Sequence, residues 1–226
     1  MTMETVQIQS IDGASLRAFV ARPAGPPKGC VIVVQEIFGV NDHIRWVMAD
    51  QFAAAGYLAV APACFDRVAP GLELGYTPQG VARGRECVEA IGLDAALRDV
   101  RAAHQQVATG LPTGVVGYCW GGSVAYLCAT RLGLPAVGYY GGRTAPYLHE
   151  RLQAPALFHF GETDPLIPLA TVKSISAAHP SAACHVYPAG HGFNRHGHPD
   201  WHADSAQTAL ARTLGFFGEH LRDPQG

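Results

Sequence analysis

The sequence predicts an α/β fold, one mostly parallel central sheet with helices on both faces. Three observations carry this. Short apolar runs such as Cys30-Val31-Ile32-Val33-Val34 read as strands buried on both sides, as parallel strands are. These runs alternate with segments of helical periodicity. Glycine and proline are abundant, 26 and 16 of 226 residues, which suits tight turns between packed elements. The length fits a single domain spanning 1–226.

The elements follow in order. Thr5 to Gln9 alternates, and Leu16 to Ala21 reads as its hairpin partner across Asp12-Gly13. After the turn Pro23-Ala24-Gly25-Pro26-Pro27 comes the strand Cys30 to Val34. A helix is expected from Ile44 to Ala55, stopped by Gly56, then a short strand from Tyr57 to Ala61. Pro62 to Gly80 lacks periodicity and reads as a loop. Helical spacing runs from Glu86 to Val107. Val115 to Gly117 is a strand, and Ser123 to Leu132 a helix after a Gly-rich turn. Further strands are expected at Ala136 to Tyr140, Ala156 to Phe160 and Cys184 to Tyr187. Helices are expected at Leu169 to Ala178 and Ala203 to His220. In such sheets ligands sit at the carboxyl ends of the strands.

Composition excludes several classes of function. Hydrophobic residues make up 48% and charged residues 15%, so the chain has a core to bury. The net charge of −2 offers no basic surface for nucleic acid or for a membrane. No apolar run approaches the ~20 residues that span a bilayer. Met1 to Ser10 lacks a basic segment leading into an apolar one, so a cytoplasmic address is expected. The six cysteines, at 30, 64, 87, 119, 128 and 184, form no C-x-x-C pair, which argues for reduced thiols. His191, His196, His198 and His202 are crowded. They lack the H-E-x-x-H pattern, and no metal is expected.

The chemistry gathers at strand ends. Gly117-Tyr118-Cys119-Trp120-Gly121-Gly122 lies between a strand and a helix and has the form G-x-C-x-G. Its glycines permit a sharp turn that lifts a nucleophile to a helix N-terminus, where a thiolate is favoured. Asp164 follows the strand ending at Phe160, in Gly161-Glu162-Thr163-Asp164-Pro165. His191 follows the strand ending at Tyr187, in Ala189-Gly190-His191-Gly192-Phe193. Nucleophile, acid, histidine is the α/β-hydrolase order. In it His191 takes the proton of Cys119, and Asp164 orients the ring. Taken singly, Cys119 reads as a packing residue and Asp164 and His191 as loop residues; the order at successive strand ends favours a triad.

With Val34-Gln35-Glu36-Ile37-Phe38-Gly39-Val40-Asn41, the elbow and the histidine loop resemble the dienelactone hydrolase (carboxymethylenebutenolidase) family. The resemblance runs from about Val31 to near the C-terminus, through Gly138-Tyr139-Tyr140-Gly141 and Pro155-Ala156-Leu157-Phe158-His159. It implies a single-domain α/β-hydrolase, monomeric, with no metal or organic cofactor and a small lactone or ester as its partner. The implied reaction opens the ring of dienelactone to maleylacetate in the degradation of chlorinated aromatics. Cys119, Asp164 and His191 fall on the family triad. Glu36 falls on a carboxylate that holds the resting cysteine away from the histidine until substrate displaces it. Ile37 and Trp120 fall on the two oxyanion-hole amides. Arg195 matches one carboxylate-binding arginine. The other lies at Arg83 or Arg85, and Arg85-Glu86 resembles the family's local sequence more closely.

Three departures bear on specificity. Trp120 stands where the family often has a smaller aliphatic residue, so its indole either packs under the elbow or narrows the pocket. Glu89 and Gly92 stand where aromatic residues are expected after the second arginine. Tyr76 covers the site from the preceding loop or, on the plainer reading, is a surface tyrosine. Two other functions fit the same residues. One is a general esterase or thioesterase acting on small activated esters. The other is a non-catalytic redox-sensing or binding protein that uses the Cys119 elbow.

Overall fold

A computed structural model describes residues 2–222. Within it two compact units are distinguished. The first comprises the described residues up to Gly114 together with Leu221 and Arg222; the second runs Val115–His220. The fold is α/β. Among the described residues, no helix is long and apolar enough to cross a membrane.

In the first unit β1 (Thr2–Gln9) and β2 (Ser15–Arg22) form an antiparallel hairpin, with Gln9 opposite Ser15. The expected turn is there: Gly13 has φ +88°, and Ser10 N–H donates to the Ala14 carbonyl at 2.8 Å. β3 (Cys30–Val34) and β4 (Leu58–Pro62) are parallel and every residue in them is buried. The strand order is β1-β2-β4-β3. Only the hairpin strands show an exposed face, and only there does the sequence alternate.

The helix expected from Ile44 begins slightly earlier, as α1 (Asp42–Trp46), with the Asn41 side chain accepting from Ile44 N–H at 3.2 Å. It continues as π-helical turns over Val47–Ala53. The segment read as a loop from Pro62 to Gly80 is more ordered than expected. It holds a 3₁₀ turn at Cys64–Arg67, and α2 (Pro78–Gln106) starts eight residues before Glu86. Thr77 caps α2 through its hydroxyl and Pro78 occupies the first turn, a start signal that periodicity alone does not register. The helix is broken at Gly92, where φ is 71°.

The second unit is parallel throughout: β5 (Thr113–Tyr118, whose first two residues belong to the first unit), β6 (Ala136–Tyr139), β7 (Ala156–Gly161) and β8 (Ala183–Tyr187), in that spatial order. β5, β6 and β7 are wholly buried, while β8 is half-exposed. α3 (Trp120–Leu127) follows β5 directly, three residues before the expected Ser123, and runs on as π-helical turns over Cys128–Leu132. α4 (Leu169–Ala178) and α5 (Ala203–His220) fall where the periodicity predicts.

Candidate active site

Cys119 occupies the single-residue turn between β5 and α3, with φ 54° and ψ −114°. A side chain avoids this region unless its surroundings force it there. Two contacts do so here. Cys119 N–H donates to the Tyr139 carbonyl at 3.0 Å, and the Gly122 N–H returns to the Cys119 carbonyl at 3.0 Å. Gly117 is required as well, because a Cβ there would run into the Gly121 carbonyl. The turn leaves Cys119 half-buried at the head of α3, whose first amides have no partner within the helix. Cys30, Cys64, Cys87 and Cys128 are buried, and burial pushes their thiols up; Cys184 is half-buried and its thiol is pushed up to about 11 by burial.

Asp164 and His191 lie on the loops after β7 and β8, and the structure brings both to Cys119. His191 Nδ1 is 2.7 Å from Asp164 Oδ2, and His191 Nε2 is 3.2 Å from Cys119 Sγ. The other Asp164 oxygen accepts from Leu166 N–H at 2.8 Å, so the carboxylate is held at both ends. Its side chain is 0% exposed and that of His191 only 11%. Burial works against a charged imidazole here, but the hydrogen bonds to Asp164 and Cys119 outweigh it, and the His191 pKa is pushed up to about 10. Both hydrogen bonds thus favour the charged form of the ring.

The ring is also packed. Tyr140 lies 5.0 Å from it, centroid to centroid, and Phe193 fills the space behind Tyr140 at 5.5 Å. Tyr140 is the other described non-glycine residue at positive φ, 39°, and like Cys119 it terminates a strand. No sequence pattern singles out Tyr140. The only sign of it was its place in Gly138-Tyr139-Tyr140-Gly141.

Arg195 is 8% exposed, and its Nη1 donates to Asp200 Oδ2 at 2.9 Å. Gly192 makes room for it: at φ +77°, an added Cβ would stand 2.6 Å from the guanidinium carbon. Beside His191 and Arg195 opens a cleft of about 510 Å³, lined also by Leu166, Asp200 and Trp201. The crowded histidines do not converge. His196 meets Trp201 edge-on, His198 lies 3.3 Å from Asp200, and His202 accepts from Ser205 N–H. Among the described residues, no group of three or more His, Cys, Asp or Glu is placed to hold a metal ion.

In the first unit, Glu36 is 1% exposed, and Tyr76 donates its hydroxyl to Glu36 Oε2 at 3.1 Å. Tyr76 also packs edge-on against Phe38 at 4.5 Å. The plainer reading of Tyr76 as a surface residue is thus corrected: it is half-buried and tied to the carboxylate. Gly84 packs directly on the Ile37 carbonyl, which puts the first turns of α2 against the segment carrying Glu36 and Ile37. Arg83 and Arg85 flank that contact on α2. Both are exposed, and Arg83 is paired with Glu86 at 2.8 Å. In the second unit, Trp120 is 2% exposed, so its indole is buried.

Residues 16–221 match the dienelactone hydrolase family. The chain is 36% identical to the carboxymethylenebutenolidase of Pseudomonas putida, over 96% of this chain and 96% of that protein. It is 31% identical to a putative carboxymethylenebutenolidase of Synechocystis, over 98% and 97% of the two chains. Among solved structures, a putative dienelactone hydrolase from Klebsiella pneumoniae superposes with a TM-score of 0.83 at 30% identity, covering 97% of this chain and 100% of that one. The match begins at residue 16, ahead of the Val31 from which the motifs were read. The chain belongs to the dienelactone hydrolase family of α/β-hydrolases, enzymes that act on ester and lactone bonds.

Proposed function

We propose that the protein opens the ring of a small carboxylate-bearing enol-lactone, dienelactone to maleylacetate, with Cys119 as nucleophile and through an acyl-enzyme. The observation that carries this reading is His191, bonded on one side to Asp164 at 2.7 Å and on the other to Cys119 at 3.2 Å. A raised His191 pKa supports it, because an imidazolium can hold the sulfur as thiolate.

The chemistry then runs as follows. His191 takes the proton of Cys119 as the sulfur attacks. The sulfur attacks the lactone carbonyl, a C–S bond forms, and the oxyanion is received by the amides of Ile37 and Trp120, each worth about 3 kcal/mol in hydrolases of this kind. The ring C–O bond breaks with its electrons on an enolate, which takes a proton from His191 and becomes the ketone. Neutral His191 then removes a proton from water. The hydroxide adds to the thioester, the C–S bond breaks, and the carboxylate product leaves. Arg195 and Arg85 take the substrate carboxylate with charge-assisted hydrogen bonds. Glu36 does not hold the sulfur away from His191 here, since Sγ already stands 3.2 Å from Nε2; the carboxylate accepts from the Tyr76 hydroxyl instead. The enzyme acts as a cytoplasmic monomer and uses no metal or organic cofactor.

The test is hydrolysis of dienelactone and of p-nitrophenyl acetate by the wild type and by Cys119→Ala. Turnover of dienelactone by the wild type is expected, with a loss of at least ~10³ in kcat/KM for the variant. Turnover of the neutral ester alone would make the protein a general esterase. Turnover of neither would overturn the enzymatic reading.

A further inference from the structure

Asp200 is the charged group in the cleft that the proposed chemistry leaves unused. It sits on the loop between Arg195 and α5, in the second unit with the triad. Its Oδ2 takes Arg195 Nη1 at 2.9 Å, and His198 Nδ1 stands 3.3 Å from the same oxygen. The two partners are held very differently. The Arg195 side chain is 9% exposed and its guanidinium is seated against Gly192, so it has little room to swing. The Asp200 side chain is 42% exposed and keeps its contact with water. Displacing Asp200 therefore costs little desolvation, while the guanidinium stays where it is held.

We propose that Asp200 is a specificity-determining residue, a resting counter-ion that competes with a substrate carboxylate for the Arg195 guanidinium. This rests on the reading of Arg195 as a carboxylate-binding residue. An anionic lactone that binds Nη1 competes with Asp200 for it and meets the negative charge of Asp200 on the way. A neutral ester makes no such exchange. Asp200 thus sets how strongly the enzyme prefers anionic over neutral substrates.

The experiment measures kcat/KM for dienelactone and for p-nitrophenyl acetate in the wild type, Asp200→Asn and Asp200→Ser. The ratio of anionic to neutral substrate should rise about two- to fivefold in both variants, the range expected for a partly exposed ion pair. Calorimetric binding of crotonate, a small planar carboxylate, should tighten by a similar factor and needs no turnover. A ratio and a crotonate affinity that stay unchanged would overturn the proposal. A fall in both would overturn it too, and would show that Asp200 merely orients Arg195. Arg195→Gln separates the two levels of the claim. If Arg195→Gln lowers the ratio while the Asp200 variants leave it flat, only the role of Asp200 fails. If Arg195→Gln leaves the ratio unchanged, Arg195 does not bind the carboxylate and both readings fail.

Discussion

Two buried carboxylates, Asp99 in the first unit and Asp164 in the second, have side chains equally hidden from water, at 0% exposure, and do different work. Asp99 is gripped by Arg67 through Nε at 2.8 Å and Nη2 at 2.6 Å. The same guanidinium reaches Asp12 at 2.9 Å and Ser10 at 2.9 Å, and Arg98 ties Asp12 at 2.8 Å. Asp99 and Asp12 drive the Arg67 pKa further up, so its charge never titrates. Asp164 instead meets an imidazole through one hydrogen bond, and the second ring nitrogen is turned to a thiol. An arginine whose donors are spent on carboxylates is a staple. A histidine with one nitrogen on a carboxylate and the other on sulfur can pass a proton.

The comparison breaks most sharply at Asp164. Asp164→Asn should lower kcat/KM by about 10³–10⁴, because the amide no longer stabilises the imidazolium and favours the wrong tautomer. Steady-state kinetics on folded protein checks it. Arg67→Met should act oppositely. Leaving Asp99 buried and unpaired is expected to cost about 3–5 kcal/mol in urea unfolding, with kcat/KM of the folded fraction kept within a few fold.

The His191 pair also has a pH signature. Its folded-state pKa of about 10 lies above the ~6.5 of an unfolded histidine. The stabilisation is fully present below pH ~6.5 and is lost as pH rises through about 10. Wild type should therefore lose stability relative to His191→Gln across that window, and equal pH dependence of the two would contradict the assignment. Gly192→Ala should be smaller, about tenfold in kcat/KM for dienelactone, since the new methyl must push the Arg195 guanidinium aside. Smallest is the choice between the two α2 arginines: Arg85→Ala should raise KM for dienelactone a few fold, and Arg83→Ala should leave it unchanged.

Much of this was legible in the sequence because strand ends and glycines carry it. The wholly buried strands β3 and β4 announce themselves as unbroken apolar runs, and the loops after β5, β7 and β8 deliver Cys119, Asp164 and His191. What stayed hidden depends on side chains meeting across distance in the chain. Tyr76 lies forty positions from Glu36, and no local pattern pairs them. Tyr140 takes its positive φ from the geometry around it rather than from its residue type. The early start of α2 was readable from Thr77-Pro78, but helical periodicity is weak in a first turn that packs by glycines. Nothing local in the sequence marks Asp200, which the fold sets on Arg195.

The central claim is that Cys119 alone among six thiols is the nucleophile. The most direct measurement is titration with iodoacetamide at neutral pH, following activity and mapping the label by mass spectrometry. Loss of activity should track one equivalent of label on Cys119, with the buried cysteines untouched. Full alkylation of Cys119 with activity retained would contradict the account.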